Sequence, residues 1–99
     1  MKDFTLVAAK YNITPEQVKD LKWAMANTWG EICYDYLDLF GSERAAIKAH
    51  GSEAAMISES TIDADRIKMY SDTDLTWFYE IPAGISRLKL GEEAWNCRW

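Results

Sequence analysis

A chain of 99 residues with 48% hydrophobic and 13% aromatic side chains has more apolar surface than a disordered segment, and room for one domain spanning 1–99. Its formal charge of −5 at pH 7 excludes a general affinity for phosphate backbones, which draws on clustered Lys and Arg. The opening MKDFTLVAAKY is too short an apolar run for a signal peptide, and no stretch nears the ~18 apolar residues of a membrane span, so the expected location is the cytoplasm.

Phe4 to Tyr11 forms the first predicted helix, ended by Asn12, a residue that tolerates left-handed backbone. The restart is strongly marked. Thr14 is a natural N-cap, Pro15 suits the first helical position, Gln17 completes a capping box, and Ile13 can staple against Val18. In VAAKYNITPEQVKDL, from Val7 to Leu21, the small Ala8, the turn at Asn12, the branched Ile13, the cap Thr14 and the apolar Val18 together resemble the helix-turn-helix of DNA-binding proteins. That resemblance implies base contacts from Gln17 and Asn27 and phosphate contacts from Lys19 and Lys22. Glu16 and Asp20 would carry negative charge into the same groove, so nucleic acid is not the expected partner.

From Val18 the apolar residues Leu21, Met25, Trp29, Ile32, Tyr36 and Leu39 step by three and four, one stripe of a helix running from Pro15 to Phe40 and stopped by Gly41. A second stripe, Ala26, Cys33, Leu37 and Phe40, widens it. About 26 residues at 1.5 Å each make a rod of ~39 Å. Residues 41–60 repeat Gly-Ser-Glu, and each Ser is expected to cap a short helix. His50 stands where a histidine commonly meets a helix C-terminus.

The last third changes period. RIKMYS, LTWFYEI, ISRLKL and AWNCRW are short, rich in β-formers and separated by turn residues, as in an antiparallel meander. A four-residue loop at 82–85 sets Tyr79 opposite Leu88, Trp77 opposite Leu90 and Glu80 opposite Arg87. The expected fold class is therefore α+β: N-terminal helices (about 3–60), including the long helix 15–40, packed on a C-terminal antiparallel β-meander (about 66–99).

Chemistry is thinly represented. Glu31, Asp35 and Asp38 fall at i, i+4 and i+7 on one helical face, but no His joins them and no Glu-x-x-His pair occurs, so neither metal nor any other cofactor is expected. His50 has no sequence-adjacent nucleophile, and no glycine-rich phosphate loop is present. Cys33 and Cys97 lack CxxC spacing and read as buried thiols. The acidic stripe, extended through Glu16 and Asp20, suits docking to a larger protein with a basic surface. Phe78, expected on the open face of its strand, and Trp99 add aromatic anchors. The expected function is a non-enzymatic protein-binding module, a small acidic inhibitor or adaptor of the kind phages and plasmids carry, docking on a machine that handles nucleic acid. A DNA-binding regulator and a small-ligand pocket lined by Trp23, Trp29, Tyr34 and Trp77 are the competing classes, and excess aromatic surface makes a homodimer a further expectation.

Overall fold

The computed structural model describes residues 3–61, 73–82 and 85–99, with side chains except at 29–38, 60 and 61. Helix α1, Phe4–Tyr11, starts where the Asp3 carboxylate accepts from the Leu6 amide at 2.9 Å. It ends at Asn12 in left-handed geometry, φ 57° and ψ 44°. There the Ile13 amide donates to the Ala8 carbonyl at 3.0 Å and the Asn12 amide to that of Ala9 at 3.4 Å, the paired bonds of a Schellman ending. Helix α2, Pro15–Phe40, opens with the expected capping box. Thr14 Oγ1 accepts from the Gln17 amide at 3.1 Å, and Gln17 Oε1 accepts from the Thr14 amide at 2.8 Å.

On α2 the inward residues are Val18, Leu21, Ala24, Met25 and Thr28, all buried. Thr28 satisfies its hydroxyl by donating to the Ala24 carbonyl at 3.0 Å. The stripe does not stay buried to its end: Leu39 and Phe40 are exposed, as is Ala26. Gly41, at φ 80°, turns the chain as expected. Helices α3, Glu43–His50, and α4, Glu53–Thr61, follow, capped by Ser42 on the Ala45 amide and Ser52 on the Ala55 amide. His50 closes α3, and its Nδ1 pairs with the Glu59 carboxylate of α4.

The C-terminal third corrects the expected α+β class. Among the described residues every element is helical and there is no strand. Thr76–Tyr79 is a single turn, α5, and Arg87–Trp95 is a helix, α6, capped by Ser86 accepting from the Lys89 amide at 3.2 Å. Where a meander was expected, ISRLKL leads into α6 and AWNCRW forms its end and exit. The RIKMYS segment lies outside the described residues. The buried set Leu90, Ala94 and Cys97 steps by four and three, which is a helical period, and this outweighed the local β-propensity.

Gly91 resembled a strand boundary for a packing reason. A Cβ there would meet Ser58 Oγ of α4 at 3.0 Å, so the glycine sits in a close helix crossing. α6 packs most extensively on α4 and also touches α1 and α2. Phe78 is likewise reversed: a strand with Trp77 and Tyr79 inward would expose it, whereas the turn of α5 drives it into the core at 1% exposure and leaves its neighbours half-buried. Arg87 does not face Glu80 in a ladder. Its Nε donates to the Phe78 carbonyl at 3.0 Å and its Nη2 to that of Tyr79, tying α6 to the end of α5.

Candidate functional site

Residues 16, 20, 23 and 27 step by four, three and four, so they form one outward stripe on the first half of α2. Glu16, Asp20, Trp23 and Asn27 are all exposed, Trp23 at 55%. Trp23 is there because the inward positions on either side belong to Leu21 and Met25. Asn27 Nδ2 donates back to the Trp23 carbonyl at 3.0 Å. Lys19 pairs with Glu16 at 3.4 Å, a surface contact worth little in water.

Trp99 reaches this stripe from the C-terminal tail. Its ring lies 6.3 Å from that of Trp23 at 81°, an edge-to-face pair, and 5.8 Å from the ring of Phe4. Phe4 is buried beneath, while Trp99 stays 65% exposed. Two indoles far apart in the sequence thus stand together at the surface, with Glu16 and Asp20 on the helical stripe of Trp23.

Beneath the tail lies Lys22, which is 8% exposed. Its Nζ donates to the carbonyls of Trp95 at 2.6 Å and Cys97 at 2.7 Å. The same ammonium lies 5.4 Å from the Trp95 ring centroid and 5.2 Å from that of Trp99. Burial lowers its pKa, with Cys97 acting in the opposite direction. Cys97 is a buried thiol that donates to the Glu93 carbonyl at 3.3 Å. Between α1 and α6, Lys10 Nζ meets the Glu93 carboxylate at 2.7 Å. Burial, then the neighbouring Glu93, pushes the Tyr11 hydroxyl above its ordinary range.

The sequence-derived candidates now separate. Glu16, Asp20 and Trp99 are exposed, and Phe78 is in the core. Glu31, Asp35 and Asp38 lie on the backbone of α2, with side chains outside the described residues; so do the side chains of Trp29 and Tyr34, expected in an aromatic pocket. Trp23 faces outward. The four residues of the DNA-reading set have intramolecular roles: Gln17 in the capping box, Lys19 beside Glu16, Lys22 on two carbonyls, and Asn27 on its own helix.

Two residues escaped the sequence reading, Trp23 as partner of Trp99 and Lys22 as tether of the tail. Trp23 carried a usable signal, because it lies off the apolar stripe of its helix and must face water. Lys22 carried none, since its partners are backbone carbonyls 73 and 75 residues away.

Among the described residues no three His, Cys, Asp or Glu side chains gather as a metal site. A recess of about 590 Å³ beside α3 is lined by Ser42, Glu43, Arg44 and Ile47, three of them exposed. No described helix is long and apolar enough to cross a membrane. No family model, curated protein or solved structure matches the chain.

Proposed function

We propose that the protein is a non-enzymatic protein-binding module of the cytoplasm, an inhibitor or adaptor that docks on a larger protein through the Trp23–Trp99 face. The observation that carries this is the pair of indoles exposed side by side, at 55% and 65%, in a chain that buries Phe4 and Phe78. Large aromatic surface left in water gains free energy when a partner covers it, and Trp is over-represented among residues that dominate binding. Glu16 and Asp20 border the face, and Glu31, Asp35 and Asp38 extend the acidic set along α2 by position. Such charges speed encounter with a basic surface.

A second copy of the chain fits this face less well. The two indoles together offer roughly 300 Å², against about 800 Å² per partner in a stable interface, so the surrounding acidic surface must also take part. In a two-fold dimer that surface would meet itself, acid against acid. A partner whose apolar pocket is rimmed by Lys and Arg pairs with it, and a protein that handles nucleic acid has such a surface.

The test is titration of a partner identified by affinity capture from the native host. Trp99→Ala is expected to weaken binding by about 2 kcal/mol. The paired reversals Glu16→Lys and Asp20→Lys are expected to slow association, with the difference shrinking as salt is raised. Unchanged affinity for Trp99→Ala would overturn the proposal, as would duplex DNA binding that survives moderate salt and depends on Gln17.

A further inference from the structure

We infer that Lys22 is the positioning residue of the docking face, holding the C-terminal tail so that Trp99 stands preformed against Trp23. The inference rests on the docking function proposed above. A helix ends with carbonyls that have no partner within it, and a cation is favoured there. At the exit of α6 the carbonyls of Trp95 and Cys97 both accept from the Lys22 ammonium, at 2.6 and 2.7 Å. These are short, charge-assisted bonds in a place shielded from water.

Trp99 cannot hold itself. Among the described residues its ring meets Phe4 in a tilted contact, Trp23 edge to face, and the Lys22 ammonium at 5.2 Å. With most of its surface in water it gains too little burial to offset the entropy of ordering the segment that follows α6. Lys22 supplies the missing restraint twice, through the backbone two residues earlier and through the ring. A partner then meets an ordered indole pair and has less side-chain freedom to remove on binding.

The experiment uses the full chain, isotopically labelled, in solution without any partner. Wild type should show scalar couplings across hydrogen bonds from the Lys22 Nζ to the carbonyl carbons of Trp95 and Cys97. Its Trp99 indole signal should be displaced by the ring current of Trp23. In Lys22→Met that displacement should vanish and amide exchange at 97–99 should rise roughly tenfold or more, while the protection of α2 persists. Lys22→Arg, which keeps charge and donors, should restore part of the ring-current shift. An unaltered Trp99 signal in Lys22→Met overturns the inference. So does a wild type without the two couplings, a measurement that holds even if the variant does not fold.

With the captured partner, Lys22→Met should bind roughly tenfold more weakly, and adding Trp99→Ala to it should cost little more. Unchanged affinity despite a released Trp99 would instead overturn docking through Trp99, and with it the part assigned to Lys22.

Discussion

The ties that shape the α1–α2 corner each join residues no more than five apart: Asp3 to Leu6, Ala8 to Ile13, and Thr14 with Gln17 in both directions. The C-terminal arm, α5 through the tail, is held by cationic side chains reaching over distance. Arg87 bonds the carbonyls of Phe78 and Tyr79, Lys22 those of Trp95 and Cys97, and Lys10 the Glu93 carboxylate. The turn and caps of the corner are set by local chemistry. The arm takes its shape only once α1, α2 and α4 are present to receive it, so its integrity is a property of the whole fold. The candidate docking face lies on the seam, with Trp23 from one region and Trp99 from the other.

If this contrast is correct, a cavity in the arm should weaken the whole domain. Phe78 is fully buried and is the largest such side chain among the described residues, so Phe78→Ala is expected to cost about 3–5 kcal/mol, read as a lower denaturation midpoint in urea. The transition should remain single. A separate early transition confined to the arm would show that it is an appendage, and the contrast would then be one of stability rather than of assembly.

A smaller loss is expected from Arg87→Met, which removes two charge-assisted bonds to backbone while keeping much of the side chain's length. Because Arg87 is only half-buried, water can replace part of what is lost, and the expected cost is about 1.5 kcal/mol. Exchange of amides near Phe78 and Tyr79 should accelerate, with the α1–α2 corner unchanged.

The same division decided what the sequence made legible. Asn12, Thr14, Gln17, Ser42 and Ser52 act on backbone within a few residues, so their roles could be read directly and the structure places them as expected. In the arm, aromatic and branched residues carried β-propensity, and Gly91 looked like punctuation. What made the segment helical was burial of Leu90, Ala94 and Cys97, with Gly91 admitting Ser58 at the α4 crossing. The steps of four and three among Leu90, Ala94 and Cys97 stand in the sequence itself, whereas the close approach of Ser58 comes from another element and no local pattern records it. Trp99 is exposed, as a candidate anchor has to be, whereas Phe78 is buried, because its exposure depended on which period its segment adopted.

The smallest expected effect bears on the corner itself. Thr14→Ala removes the acceptor for the Gln17 amide and leaves Gln17 to bond the Thr14 amide alone, so the first turn of α2 should fray at a cost of about 1 kcal/mol. Thr14→Ser keeps the hydroxyl and should recover most of that. The exchange rates of Gln17 and Val18 should rise, while those of Trp95 and Cys97 and the ring-current shift of Trp99 remain as in wild type. The reason is geometric: Trp23 and Lys22 lie two turns further along α2, past Val18 and Leu21, whose burial holds the helix irrespective of its cap. If Thr14→Ala also released Trp99, the capping box would be part of the support of the Trp23–Trp99 pair, and corner and arm would be one cooperative unit.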